Sequence, residues 1–247
     1  MVAAMRALHI FTHIPRTAGT TVNAMLQDAF PDQPTLGAMS VKAFHESLSG
    51  MSAGELDEIV YVHGHIPYGV HRAIDPQQRR ETVYITLLRN PVERVISQYN
   101  YILSQPTHPN YAQIGDSLSS YCAFLKSHLN DNLQTRFLSA DLSAYDDASL
   151  RAYRFRTAAD CLDLATERLE ATYVFGLQED FERALGRISE RVRGPTAPAS
   201  FMDQRHLPST QAQEPTPSEI DAVRELESVD IELYERAKKI IAAQQGA

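Results

Sequence analysis

Short apolar runs alternate along the chain with longer segments whose apolar residues recur at helical spacing. The apolar runs predict four β-strands, at residues 7–13, 58–62, 82–88 and 172–175. Helical spacing predicts helices at residues 20–30, 91–103, 118–128, 148–170 and 179–193. This alternation of strand and helix is typical of an α/β fold with a mainly parallel sheet.

The clearest local boundary follows the third predicted strand, in the segment LLRNPVERVISQYNYIL. Asn90 is a good helix N-cap, Pro91 suits the first helical turn, and Glu93 completes a predicted capping box. Apolar residues then recur with helical spacing to Leu103. This strand-to-helix turn is therefore the most sharply defined feature of the pattern.

The last part of the chain is divided by a long segment rich in proline, serine and threonine. This segment, residues 194–216, is predicted to be a lid or a flexible loop. A second capping box, formed by Thr216 and Glu219, predicts that a C-terminal helical region follows. The pattern contains no internal repeat and no second domain, so we predict one domain over residues 1–247.

Composition and charge narrow the class of protein. The 247 residues are 43% hydrophobic and 22% charged, which is typical of a soluble globular protein. The net charge of −8 argues against partners such as nucleic acid or acidic membranes, so any anion site must be local. No apolar segment could span a bilayer, and the start MVAAMRALHIF lacks the pattern of a signal peptide. With Cys122 and Cys161 predicted to be buried free thiols, these features favour the cytoplasm.

The first predicted strand runs into the loop HIPRTAGTT, at residues 13–21. A loop before a helix provides unpaired backbone N–H groups and a partial positive charge. Gly19 allows close backbone approach, Thr20 and Thr21 offer hydroxyl donors, and Arg16 adds a fixed positive charge. These residues suit a bound anion, although an ordinary connection with Arg16 in a surface ion pair explains them equally well.

The loop departs from the nucleotide-binding Walker motif. Thr20 stands where the Walker lysine belongs, Thr21 stands at the metal-binding hydroxyl, and His13 or Ile14 occupies the position of the first glycine. No apolar run ends in the aspartate of a Walker B strand. These departures disfavour a metal-dependent kinase or ATPase.

A second candidate anion site follows the strand at residues 82–88. Arg89 ends this strand, and Ser97 lies eight residues later on the next helix. Parallel strands bring their carboxyl ends to the crevice where ligands bind, so Arg89 is predicted to face the region of the first loop. Two helical turns could return the hydroxyl of Ser97 to the same anion. The alternative is that Ser97 faces solvent and Arg89 pairs with Glu93.

Several segments, in order, resemble the motifs of sulfotransferases that use 3′-phosphoadenosine 5′-phosphosulfate (PAPS). HIPRTAGTT resembles their 5′-phosphosulfate loop, commonly PKTGGTT or PKTAGTT, and LLRNPVERVISQY resembles their 3′-phosphate motif. HGHIPYG is similar to a segment of the carbohydrate 2-O-sulfotransferase branch. DNLQTRFLS and YVFGLQEDFERAL are similar to later segments of the family. The resemblance is scattered over most of the chain.

The resemblance implies a P-loop-like, three-layer α/β/α fold that binds PAPS as co-substrate without a required metal. The residues implied at the 5′-phosphosulfate are Pro15, Arg16, Thr17, Ala18, Gly19, Thr20 and Thr21. Arg89 and Ser97 are implied at the 3′-phosphate, and Arg205, in the 194–216 segment, either closes over the nucleotide or lies on a surface loop. The family usually has lysine at the position of Arg16. Because arginine is a much poorer acid, we expect Arg16 to stabilise the leaving oxygen electrostatically.

Histidines are the candidate bases for accepting the proton of an acceptor hydroxyl. His63, His65 and His71 follow the second predicted strand, where strand alternation places His63 and His65 on one face and does not choose between them. The resemblance favours His65 as the base, with His63 in support. His71 is predicted to be an ordinary hydrogen-bonded or exposed residue, and a zinc site at these histidines lacks a carboxylate or cysteine ligand.

A second polar group lies at residues 132–136, where Asn132, Gln134, Thr135 and Arg136 either contact a ligand or form a solvated helix start. The sequence as a whole predicts a PAPS-dependent sulfotransferase that acts on the hydroxyl of a carbohydrate or small metabolite. The alternatives are a P-loop small-molecule kinase and a non-catalytic nucleotide-binding protein on the same fold.

Overall fold

The computed structural model describes residues 6–144, 146, 156–193 and 214–245. Within these residues one sheet contains the strands β1 (Leu8–Thr12), β2 (Thr35–Ala38), β3 (Tyr61–Gly64), β4 (Thr82–Leu88) and β5 (Tyr173–Leu177). The strand order is β2-β3-β1-β4-β5, and all four neighbouring pairs are parallel. The predicted α/β class with a mainly parallel sheet is confirmed.

Helices connect the strands. Before β5 they are α1 (Gly19–Ala29), α2 (Val41–Leu48), α3 (Ala53–Glu58), α4 (His71–Ile74), α5 (Pro91–Leu103), α6 (Leu118–Ser127), α7 (Leu133–Ser139) and α8 (Ala158–Ala171). After β5 they are α9 (Phe181–Arg193), α10 (Pro217–Leu226) and α11 (Ser228–Gln245).

The sheet is buried on both faces, which makes the fold three layers thick. Along β1, Leu8 and Ile10 face one apolar cluster and Phe11 faces another, as strand alternation requires. The cluster of Phe11 is covered by apolar residues of α1 and α9. The opposite cluster is covered by α2, α4, α7, α8 and α11. A third cluster, formed by α5, α6 and α10, lies beside the sheet and anchors the helix that follows β4.

Most predicted strands are found close to their predicted positions. The strand at residues 82–88 is confirmed without change, and β1 and β5 differ from prediction by one or two residues at their ends. β3 starts three residues later than predicted, because a capping box of Ser52 and Glu55 begins the helix α3, which extends to Glu58. β2 was not predicted. It is a short edge strand with only Ala38 buried, so it carries little apolar signal.

The helix after β4 begins as predicted, but one detail of its cap was wrong. Asn90 Oδ1 accepts from the N–H groups of Val92 and Glu93, at 3.1 and 3.3 Å. The Asn90 N–H, however, donates to Glu179 Oε1 at 2.7 Å, and the Glu93 carboxylate lies 3.6 Å from Arg89. Glu179, from the turn after β5, therefore accepts the hydrogen bond from the Asn90 N–H that was expected to go to Glu93.

The later helices agree with prediction where the chain is described. Of the helix predicted over 148–170, the first part lies outside the described residues, and α8 begins at Ala158 behind the N-cap Thr157. The predicted helix at 179–193 opens with a 3₁₀ turn and becomes α-helical at Phe181. The capping box of Thr216 and Glu219 is confirmed at the start of α10. Residues 194–213 of the predicted lid lie outside the described residues.

Candidate active site

The segments that carry the candidate residues meet at the carboxyl edge of the sheet. Thr12 at the end of β1 is paired with Gly64 at the end of β3, and Phe11 is paired with Ile85 of β4. The loop after β1, the histidines after β3 and the arginine after β4 therefore leave the sheet side by side. The rule that parallel strands deliver ligand-binding residues to this edge predicted the arrangement.

The loop between β1 and α1 is tightly wound. Arg16 and Ala18, neither of them glycine, have φ angles of 69° and 62°, in the left-handed region. Such a conformation costs about 1–2 kcal/mol per residue and is concentrated at functional sites. The buried hydroxyl of Thr17 donates to the Ile14 carbonyl at 2.9 Å, which closes the loop internally. Ala18, the N-cap of α1, makes no side-chain cap bond, and the first turn has no acidic residue, so the helix start suits an anion.

The side chain of Arg16 extends from this loop to α5. Its Nε donates to Ser97 Oγ at 3.1 Å, and its guanidinium carbon lies 4.7 Å from the centre of the Tyr101 ring. Ser97 therefore contacts the side chain of Arg16 and does not simply face solvent.

Arg89 approaches the same loop from the end of β4. Its Nη1 donates to the Arg16 carbonyl at 3.1 Å, while its Nη2 lies 3.6 Å from Glu93 Oε2. The Nε of Arg89 is buried and has no hydrogen-bond partner. The ion pair with Glu93 that the alternative interpretation predicted is thus present, but it leaves a buried donor unsatisfied.

Two positive charges share a partly desolvated space here. Burial lowers the pKa of Arg16, and the nearby charge of Arg89 lowers it further. Burial is also the main cause that lowers the pKa of Arg89. Arginine keeps its charge at neutral pH, so the two guanidiniums repel each other. A bound anion would offset this repulsion more fully than the exposed Glu93 carboxylate does, so the arrangement suits an anion.

The backbone of Arg89 is held by a residue from the polar group at 132–136. The side-chain amide of Gln134 accepts from the Arg89 N–H and donates to the Arg89 carbonyl, both at 3.0 Å. Asp230 of α11 in turn accepts from the N–H groups of Gln134 and Thr135, at 3.0 and 2.7 Å. Asn132 caps α11 by accepting from the Asp230 N–H at 2.9 Å. This buried network positions Arg89. It also gives the polar groups of Gln134, Asn132 and Asp230 hydrogen-bond partners within the protein.

The side chains of His63 and His65 point to different parts of the structure, because β3 ends at Gly64, between them. Gly64 has a φ of 143°, and a Cβ built there would lie 1.7 Å from the carbonyl oxygen of Ala38. Strand alternation stops at this glycine. His65 turns toward the first loop, where its Nδ1 lies 2.8 Å from the His13 carbonyl oxygen. A carbonyl oxygen can only accept, so Nδ1 carries the proton and Nε2 of the neutral ring keeps its lone pair.

His63 faces α1 instead. Its ring stacks on Tyr61 with centroids 5.3 Å apart, and its Nε2 lies 3.5 Å from Gln27 Nε2. The lack of a side chain at Gly37 makes room for the ring, since a Cβ there would lie 2.8 Å from His63 Cε1. Burial lowers the pKa of His63. Of the two histidines, His65 has the better-defined hydrogen bond for a base.

His71 is a buried, hydrogen-bonded residue, as one interpretation of the sequence predicted. Its Nδ1 lies 2.8 Å from the Tyr84 hydroxyl, and burial lowers its pKa to about 4. Among the described residues, no group of three or more histidine, cysteine, aspartate or glutamate side chains could hold a metal ion.

His13 is a member of the site that the sequence did not identify. Its ring lies 4.7 Å from the His65 ring and against Gly19, where a Cβ would approach it to 2.0 Å. Burial, helped by the charges of His65 and His63, lowers its pKa to about 4. Gly19 therefore makes room for the His13 ring, rather than only for a ligand. The strand pattern gave no signal of this contact, because it depends on how the loop folds back.

A parallel sheet of this order, with an anion-type loop between β1 and α1, defines the class of P-loop-like α/β folds. The chain matches the crystal structure of a mouse sulfotransferase, SULT7A1, complexed with PAP, with a TM-score of 0.50 and 13% sequence identity. The match covers 97% of this chain and 89% of that chain. It shows the sulfotransferase fold, so the fold that the motif resemblance implied is confirmed.

Comparisons by sequence add nothing to this likeness. No protein-family model matches the chain, and no curated protein matches it. In the described part of the chain, no helix has the length and apolar character needed to cross a membrane. Arg205, a candidate either for closing over the nucleotide or for an ordinary surface loop, lies outside the described residues.

Proposed function

We propose that this protein is a PAPS-dependent sulfotransferase that transfers a sulfuryl group to a hydroxyl acceptor. The observation that carries the proposal is the convergence of Arg16, Arg89 and Ser97 at the start of α1, with the buried Nε of Arg89 lacking a partner. A donor with phosphate groups at both its 3′ and 5′ ends would supply the negative charges that two neighbouring guanidiniums require. The likeness to a PAP-bound sulfotransferase supports the same donor class.

The residues of the first loop would hold the 5′ end of the donor. The N–H groups of residues 16–21, around the start of α1, would bind it together with the charge of Arg16 and the hydroxyls of Thr20 and Thr21, while Pro15, which has no N–H, would shape the loop. Arg89 and Ser97 would bind the 3′-phosphate, and this contact would satisfy the buried Nε of Arg89. Thr17 would contribute through its backbone, since its hydroxyl is bonded to Ile14.

His65 would act as the base. With Nδ1–H bonded to the His13 carbonyl, Nε2 is the atom that can take the proton of an acceptor hydroxyl. When bound, the donor supplies the sulfuryl group, whose bond to the bridging oxygen breaks as the bond to the acceptor oxygen forms. Arg16 would stabilise the negative charge on that bridging oxygen. His63, whose pKa is lowered by burial, would support the site next to α1.

The orientation of the base depends on the donor loop itself. The carbonyl that fixes the tautomer of His65 belongs to His13, at the start of that loop. The His13 ring stays neutral at pH 7, because its pKa is about 4. It therefore adds no competing positive charge beside His65.

The acceptor is proposed to be a sugar hydroxyl or a small metabolite. The net charge of −8 argues against a broad basic groove of the kind that a sulfated polymer would need. We further propose that the whole chain forms one domain and that it acts in the cytoplasm.

Isothermal titration with 3′-phosphoadenosine 5′-phosphate (PAP) and with ATP tests the donor class. We expect PAP to bind more tightly than ATP with or without magnesium. Tighter binding of ATP with magnesium would instead support the small-molecule kinase. Transfer of ³⁵S from labelled PAPS to pools of sugars and small alcohols tests the reaction, and binding without transfer would support a non-catalytic nucleotide-binding protein.

A further inference from the structure

Arg16 is held from two directions by one face of α5. Ser97 Oγ accepts from its Nε at 3.1 Å, and the Tyr101 ring lies under its guanidinium at 4.7 Å. Ser97 and Tyr101 are four residues apart on the helix, so their side chains lie on the same face, one turn from each other. The contact with Tyr101 belongs to no motif noted in the sequence.

A planar guanidinium can use both contacts at once. It stacks with its flat face on an aromatic ring while its in-plane Nε–H donates sideways to a hydroxyl. A lysine ammonium is a compact charge on a flexible stem and has no flat face to stack. The surroundings of Arg16 are thus matched to arginine, the residue that this chain has where lysine is usual in the family it resembles.

The ring of Tyr101 is itself supported. His108, in the segment after α5, meets it edge-on with ring centroids 6.0 Å apart. Tyr101 is nevertheless 37% exposed, so it is not part of a packed core. The ring therefore lies at the surface of the proposed donor site, where it contacts the Arg16 guanidinium and the His108 ring.

We propose that Tyr101 is a positioning residue that holds the guanidinium of Arg16 in place to bind the 5′ end of the donor. This inference rests on the proposed function, because it assigns Arg16 to that end of a 3′,5′-bisphosphorylated nucleotide. Tyr101 acts through Arg16 and is not placed in contact with the donor.

A double-mutant cycle with PAP as the probe tests the proposal by calorimetry. A cation–π contact at a partly buried site corresponds to about a fivefold change in affinity. We expect Tyr101→Leu and Tyr101→Gln to weaken PAP binding by about fivefold. Leucine and glutamine are both good helix formers, so neither substitution should disturb α5. Tyr101→Phe keeps the ring face and should bind within about twofold of wild type. In an Arg16→Met background, Tyr101→Leu should change the affinity by less than about twofold, because the cation is gone.

Tyr111→Leu is the matched control, since this tyrosine is 40% exposed and follows the same helix. It should leave PAP affinity unchanged. If Tyr101→Leu and Tyr101→Gln bind as wild type does, or if the loss is equally large in the Arg16→Met background, the positioning role is overturned while the proposed function stands. Wild-type protein that does not bind PAP would overturn both.

Discussion

Replacement of Arg89 by alanine separates the two ends of the proposed donor. In the structure, Arg89 has one bond to the first loop, through Nη1 and the Arg16 carbonyl, and one unsatisfied buried donor, Nε. Loss of the bond to the loop should affect any nucleotide with a 5′-phosphate. Loss of the free donor and its charge should affect only a nucleotide that also has a 3′-phosphate.

The size of the effect follows from what competes for Arg89. The side chain of Glu93 is 58% exposed while that of Arg89 is 20% exposed, and the two lie 3.6 Å apart. An ion pair with such an exposed partner contributes at most about 1 kcal/mol. A charge-assisted bond from a partly buried guanidinium to a phosphate contributes about 1.5–3 kcal/mol. A 3′-phosphate should therefore displace the weak pair, and its loss should cost about 10- to 100-fold in affinity.

The assay is calorimetric titration of wild type and Arg89→Ala with PAP and with adenosine 5′-phosphate. We expect PAP affinity to fall about 10- to 100-fold further than that of adenosine 5′-phosphate. Glu93→Gln serves as the matched variant. It removes the competing carboxylate, and PAP should bind equally well or slightly more tightly. An equal loss of both nucleotides in Arg89→Ala would refute the assignment of Arg89 to the 3′-phosphate.

The remaining predictions concern the histidines and the end of β3. His65→Ala should lower turnover by about 10²–10⁴-fold and leave PAP affinity nearly unchanged, and unchanged turnover at saturating acceptor would remove His65 from the mechanism. Gly64→Ala should lower the melting temperature, because the new Cβ would lie 1.7 Å from the Ala38 carbonyl oxygen. Gly54→Ala in α3 is the control, since there is room for a Cβ at that position. Equal melting temperatures for the two variants would count against this prediction. The pKa of His13 is lowered to about 4 in the folded protein, so this side chain binds a proton more tightly in the unfolded chain than in the folded one. The free energy of unfolding should therefore fall as the pH drops from 6.5 to 4. Denaturant titrations at pH 7 and pH 5 should show a smaller fall for His13→Phe, and an identical fall would contradict the burial of this ring.

Local signals predicted the parts of the fold whose causes are local. β4 is rich in β-branched residues, and two residues after its end Asn90 caps a helix that starts with Pro91, so both bounds of the strand were predictable. β2 was missed because an edge strand with one buried residue has almost no apolar pattern. The start of β3 was misplaced because the short helix α3 includes Glu58, a residue also compatible with the strand.

The site was predictable where motifs and sheet topology combine. The convergence of Arg16 and Arg89 follows from strands ending at one edge, although their contact with each other is a matter of side-chain geometry. The choice between His63 and His65 was not readable from alternation, because Gly64 breaks the strand. The contact of the His13 ring with Gly19 depends on how the loop folds back. The two hydrogen bonds between Gln134 and Arg89 join segments that are 45 residues apart in the chain. Periodicity carries no information on such contacts.

We propose that Arg16 and Arg89, beside the start of α1, bind a 3′-phosphorylated sulfuryl donor. Titration of the wild-type protein with PAP, adenosine 5′-phosphate and ATP under identical conditions tests this binding. We expect PAP to bind most tightly, by at least about tenfold over adenosine 5′-phosphate. Binding of ATP with magnesium more tightly than PAP, or equal affinity for PAP and adenosine 5′-phosphate, would contradict it.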